Sequence, residues 1–111
     1  MPKDSNSDVH ILTEHGGILS YTIKPSYPKD YIYIYSITVD RTRRRCGIGT
    51  KLLSQIKDKS EKLGFIIELY PEPFGITNMS QADLIAWYKR RGFEDASNGR
   101  LRYLPSTYSS D

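Results

Sequence analysis

A chain of 111 residues is enough for one domain. With 38% apolar and 26% charged residues it has the balance of a globular protein rather than a disordered or fibrous one. The net charge of +3 is too small to argue for a nucleic-acid partner on its own, and the single cysteine excludes an internal disulfide and a cysteine-rich metal site.

The chain has no apolar run near the ~18 residues that span a bilayer. Its polar start, MPKDSNSD, lacks the apolar stretch of an export signal, so a cytoplasmic protein is expected. Residues 1–8 read as a polar tail, 9–105 as the folded domain and 106–111 as a second polar tail. Val9 to Thr13 and Ile18 to Ile23 are apolar runs around His15-Gly16-Gly17, which predicts a hairpin. Tyr31 to Val39 reads YIYIYSITV, almost wholly aromatic or β-branched, and predicts a strand. Apolar residues fill both of its alternating sets, so both faces are expected to be covered.

An arginine cluster, Arg41, Arg43, Arg44 and Arg45, then leads into Gly47-Ile48-Gly49-Thr50. Ile48, Leu52, Leu53, Ile56 and Leu63 recur at helical spacing, and Gly64 ends that helix. Phe65 to Tyr70 is a second apolar strand, closed by Pro71 and Pro73. Strand, glycine turn, helix and strand make one βαβ unit with two parallel neighbours. Residues 77–79 read as loop. Ser80 caps a further helix to about Arg91, with Asp83 three residues on, and Gly92 stops it. Ser97-Asn98-Gly99 turns a final hairpin between Phe93–Ala96 and Arg100–Leu104.

A strand that enters a glycine turn at a helix start suits an anion. The first-turn N–H groups have no helical partner, and the helix dipole adds positive charge. Gly47 and Gly49 keep side chains out of the way, Thr50 brings a hydroxyl, and Arg44 and Arg45 bring full charges. The turn is neither a Walker loop, which ends in Gly-Lys-Ser/Thr, nor a dinucleotide turn, which needs a third glycine.

The stretch Val39-Asp40-Arg41-Thr42-Arg43-Arg44-Arg45-Cys46-Gly47-Ile48-Gly49-Thr50 resembles the acyl-CoA signature of the GCN5-related N-acetyltransferases, Arg/Gln-x-x-Gly-x-Gly/Ala. Tyr88-Lys89-Arg90-Arg91-Gly92-Phe93 resembles the family's second hallmark, Tyr-x-x-x-Gly-Phe. Arg41 stands where the family often has proline and Gln81 where asparagine is frequent. Only His15-Gly16-Gly17 separates the first two strands, where the family usually has two helices.

The resemblance implies an α/β domain with a mixed, mainly antiparallel twisted sheet, a central parallel βαβ unit and two main helices. It implies acetyl-CoA as cosubstrate, a primary amine such as a protein lysine as acceptor, and no metal. By the resemblance the cofactor would lie along Ile37, Thr38 and Val39 and on Arg44, Arg45, Cys46, Gly47, Ile48, Gly49 and Thr50, with Lys89 as a further phosphate partner. The family's first strand of the unit splays from its neighbour after a bulge, freeing backbone groups for the cofactor. Tyr88 matches the family's general acid, and a phenol is protonated at neutral pH. Glu68 is the candidate base, with Glu72 and Ser36 as lesser ones; the alternative for Glu68 is a solvent-facing or arginine-paired carboxylate. Cys46 stands at a variable motif position and reads as incidental. A catalytically silent CoA-binding or protein-interaction module of the same fold is the alternative function. The open edge of the first hairpin suits a homodimer.

Overall fold

The computed structural model describes residues 8–39, 47–72 and 80–106. Its strands are β1 (His10–Glu14), β2 (Gly17–Lys24), β3 (Tyr31–Val39), β4 (Ile67–Leu69), β5 (Glu94–Asp95) and β6 (Leu101–Tyr103). The helices are α1 (Ile48–Leu63) and α2 (Gln81–Lys89). The strands form one sheet in the order β1-β2-β3-β4-β6-β5. Only β3 and β4 pair in parallel, as their βαβ connection through α1 requires. The fold is therefore the mixed, mainly antiparallel α/β domain implied by the sequence.

Most elements follow from local chemistry. The β-branched and aromatic run over Tyr31–Val39 is strand throughout. Gly64, at φ 73, closes α1, and its N–H bonds the Ser60 carbonyl. Ser80 accepts from the Asp83 N–H at 3.1 Å and opens α2. Asn98 and Gly99 take positive φ in the turn between β5 and β6. The second apolar run is strand only over Ile67–Leu69, three of its six residues, and Pro71 stops it from extending at the far end.

The core lies between the sheet and α1. Leu52, Leu53 and Ile56 of α1 meet Leu19, Ile32, Ile34, Ile67, Leu69 and Leu101 of the sheet. Tyr88 and Phe93 close one end of it. Gly17 sits where α1 crosses β2: a Cβ there would meet Ile48 Cγ2 at 2.5 Å. Two expectations need correction. Leu63 is exposed, and Ser60 takes the buried position in that last turn, where its hydroxyl donates to the Phe65 carbonyl. Among the described residues, helices cover only one face of β3. Ile32 and Ile34 point into the core, while Tyr33 is half-buried and Tyr35 is 42% exposed on the other face. Tyrosine tolerates that position because its ring packs while its hydroxyl stays wet.

Candidate functional site

Two features of β3 and one of α1 converge. The pairing of β2 with β3 slips between Ser20 and Tyr21, because Ser20 faces Ser36 and Tyr21 faces Ile34. Tyr35 is the extra residue of a β-bulge. The bulge reverses the alternation of the strand. Ile32 and Ile34 face the core before it, and Ile37 and Val39 pack against the core after it. The parallel ladder with β4 stops at the same level, with Ile34 opposite Leu69 as the last pair. Beyond Ile34, β3 continues for five residues with no β4 strand beside it. Ile37, Thr38 and Val39 lie on this extension.

At the start of α1, Gly47 is held at φ 73 and gives no side-chain cap, and the first turn carries no acidic residue. The first helical bond runs from the Lys51 N–H to the Gly47 carbonyl at 3.0 Å. The N–H groups of Ile48, Gly49 and Thr50 therefore have no carbonyl within the helix. Beyond its chain neighbours, no described atom lies within 4 Å of the place a Gly47 Cβ would take. Left-handed backbone and open space together explain a glycine here. Gly49 differs: a Cβ there would sit 3.5 Å from the Trp87 ring, an ordinary contact. Ile48 is buried and Thr50 exposed.

The cation beside this turn is Arg91. Its Nε donates to Thr50 Oγ1 at 3.2 Å and its Nη1 to the Trp87 carbonyl at 3.0 Å. Its guanidinium lies 4.2 Å from the centre of the Trp87 ring. Burial, and then the charge of Arg90, lower its affinity for a proton, and it meets no carboxylate among the described residues. Lys57 Nζ, donating to the Arg91 carbonyl at 2.7 Å, ties this turn to α1. In the sequence Arg91 stands only as the expected end of the helix and as a variable residue of the Tyr-x-x-x-Gly-Phe motif, with no role of its own. Its signal was the i, i+4 spacing to Trp87 on one helical face. Lys89, by contrast, is ion-paired to Asp95 at 3.0 Å. Arg44, Arg45 and Cys46 lie outside the described residues, as do Pro73 and the predicted loop at 77–79.

Tyr88 is 6% exposed, edge-on to Trp87 at 5.0 Å and to Phe93 at 5.4 Å. Burial raises its pKa well above the ordinary 10.0, so the phenol stays protonated. Glu68 lies on the helix-free face and takes Arg100 Nη1 at 3.0 Å. It stands opposite Tyr33. Ile37 lies four positions on from Tyr33, past the bulge at Tyr35. Glu68 also lines a cleft of about 280 Å³ with Tyr27, Asp30, Tyr31 and Ile66, at the other end of β3 from the α1 turn. The structure thus gathers Ile37–Val39, Gly47–Thr50 and α2, and Glu68 stands one residue before Leu69, the last residue of the parallel ladder. Glu72 is exposed just beyond β4, and Ser36 is half-buried beside the bulge.

A parallel ladder that ends at Ile34 and Leu69, a glycine turn without a side-chain cap and the helix that carries Tyr88 make up the candidate site. The acetyltransferase (GNAT) family model matches residues 6–93, and the chain belongs to that family. Among solved structures, the anti-CRISPR protein AcrVA5 superposes with a TM-score of 0.71 at 29% identity, over 86% of this chain and 97% of that one. The Escherichia coli ribosomal-protein-S18-alanine N-acetyltransferase gives 0.63 at 22%, over 96% and 77%. The NatC complex bound to Gag peptide and CoA gives 0.62 at 20%, over 82% and 62%. The last two show the shared fold alone. No curated protein matches.

Proposed function

We propose that the protein is an acetyl-CoA-dependent N-acetyltransferase whose acceptor is a primary amine on a protein, such as a lysine side chain. The observation that carries this reading is the end of the β3–β4 ladder at Ile34, beside an α1 turn whose N–H groups and Arg91 face no anion of the described chain. A protein acceptor is supported by two fold neighbours, the ribosomal-protein-S18-alanine N-acetyltransferase and the NatC complex bound to Gag peptide and CoA.

Acetyl-CoA would supply an activated acetyl thioester and a pyrophosphate. The N–H groups of Ile48, Gly49 and Thr50 bind the phosphates, and Arg91, joined by Arg44 and Arg45, neutralises them. Cys46 contributes only its backbone, and Lys89 stays with Asp95. The backbone of Ile37, Thr38 and Val39 orients the pantetheine chain, and one such donor to the carbonyl oxygen is worth ~3 kcal/mol. Tyr88 holds a proton for the departing sulfur. Glu68, held by Arg100, serves the sheet face, and the incoming amine loses its proton to solvent.

The deep burial of Tyr88 favours a second reading, a CoA-binding module without turnover in which that ring is only packing. Isothermal titration with acetyl-CoA followed by turnover with a lysine peptide decides. Binding with transfer fits the enzyme, binding without transfer fits the silent module, and no binding removes both.

A further inference from the structure

We propose that the helix-free face of the sheet is where the acceptor docks, and that the acceptor is a protein segment carrying carboxylates beside its target amine; this rests on the transferase reading above. Both helices pack on the face of Leu19, Ile32 and Ile67. The opposite face presents Tyr33 and Tyr35, edge to face at 5.4 Å. Cations bracket the pair. Lys24 Nζ lies 5.9 Å and 5.8 Å from the two ring centres, and the Arg100 guanidinium 5.1 Å from that of Tyr33. Ile11 and Ile18, 59% and 45% exposed, extend this surface toward the β1 edge. Rigid tyrosines, arginine and flanking aliphatics are the composition of protein-binding hot spots.

Charge narrows the partner. Arg100 is neutralised by Glu68 and Arg102 by Glu94, whereas Lys24 meets no carboxylate among the described residues. The charge left over is positive and lies against two rings. A carboxylate-bearing segment complements it, and a basic one meets the unpaired Lys24. Position supplies the second argument. The surface runs without a break to the place where β3 leaves β4, because Tyr35 is itself the bulge residue and Ser36 and Thr38 continue the same face beyond it. A segment lying across Tyr33 and Tyr35 therefore delivers its amine to the opening between the strands.

The test uses the full chain with acetyl-CoA and two fluorescein-labelled peptides. Each has one central lysine, flanked in one peptide by Asp and Glu and in the other by Arg. Fluorescence polarisation should show the acidic peptide bound more tightly by about twofold to fivefold, the scale of one exposed ion pair. Lys24→Glu should abolish or invert that preference, and Lys24→Gln should reduce it, with acetylation of a small amine, lysine methyl ester, unchanged. Equal or undetectable binding of the two peptides overturns the proposal, as does a preference that survives Lys24→Glu. A lysine methyl ester acetylated without peptide preference removes this docking surface alone. A peptide preference with no acetyl transfer to either acceptor keeps the surface and removes the transferase reading.

Discussion

Arg91 Nε donates to Thr50 Oγ1 at 3.2 Å, joining the turn after α2 to the first turn of α1. The contact fixes a guanidinium beside the N–H groups of Gly49 and Thr50 and leaves the Thr50 proton free to be donated outward. Its cation stacks on Trp87 and has no described carboxylate to satisfy it. An anion at the α1 turn supplies what both groups lack.

Arg91→Ala should therefore weaken acetyl-CoA binding by ~10-fold or more, the usual weight of a charge-assisted hydrogen bond. Arg91→Lys should fall between, since it keeps the charge and loses the fork. Lys89→Ala, which removes only the exposed pair with Asp95, should leave affinity within about twofold. Titration calorimetry on the three variants checks the order. Equal affinities for Arg91→Ala and the parent would place the phosphate elsewhere.

The glycines separate conformational need from space. Gly47→Ala forces a left-handed residue with a Cβ, at about 1–2 kcal/mol, and should lower both melting temperature and cofactor affinity. Gly17→Ala drives a methyl into Ile48 Cγ2 and should cost about 1–3 kcal/mol of stability, displacing the α1 start. Gly49→Ala meets only an ordinary contact with Trp87, lies inside α1 and should be tolerated or gain up to about 1 kcal/mol. Thermal melts that rank Gly49→Ala below Gly47→Ala would contradict this assignment.

The elements that local chemistry dictates were legible before any coordinates. Tyr31–Val39 is strand because every residue suits one, and α1 spans Ile48–Leu63 because Gly47 and Gly64 take its two left-handed ends. The bulge was in the sequence but hidden. The apolar core positions pass from Ile32 and Ile34 to Ile37 and Val39, an even-to-odd change that reads as two covered faces until the slip at Tyr35 is seen. The pairing of Glu68 with Arg100 and the approach of Arg91 to Thr50 join residues 32 and 41 positions apart. Such contacts come from tertiary packing, which no local period encodes.

Tyr88→Phe keeps the ring contacts with Trp87 and Phe93 and removes only the hydroxyl. If that hydroxyl protonates the leaving sulfur, kcat should fall ~10²-fold with acetyl-CoA affinity nearly unchanged. The same variant reports on stability. Burial raises the folded pKa above the 10.0 of the unfolded chain, so the native state holds its proton longer and stability declines as pH rises beyond 10. Tyr88→Phe should make that alkaline decline shallower in chemical denaturation from pH 9 to 11. An unchanged kcat removes the acid role, and an unchanged alkaline slope removes the inferred shift.

Glu61 on α1 holds the C-terminal end of the described chain. Its carboxylate accepts from the Ser106 hydroxyl at 2.6 Å, the Tyr103 hydroxyl at 2.6 Å and the Ser106 N–H at 2.9 Å. The Ser106 hydroxyl first, then Tyr103 and the Ser106 N–H, draw its pKa below 4.5, and Lys57 adds to the effect. The unfolded chain then binds this proton more readily than the native one. The clamp is accordingly in place above pH 4.5 and is lost as pH falls through the lowered folded value. Melting temperature should drop across that acid window, and the Ser106 amide resonance should titrate with it. Glu61→Gln should lower stability at neutral pH and flatten the acid limb. If the variant and parent trace the same pH profile, the clamp contributes nothing to acid sensitivity.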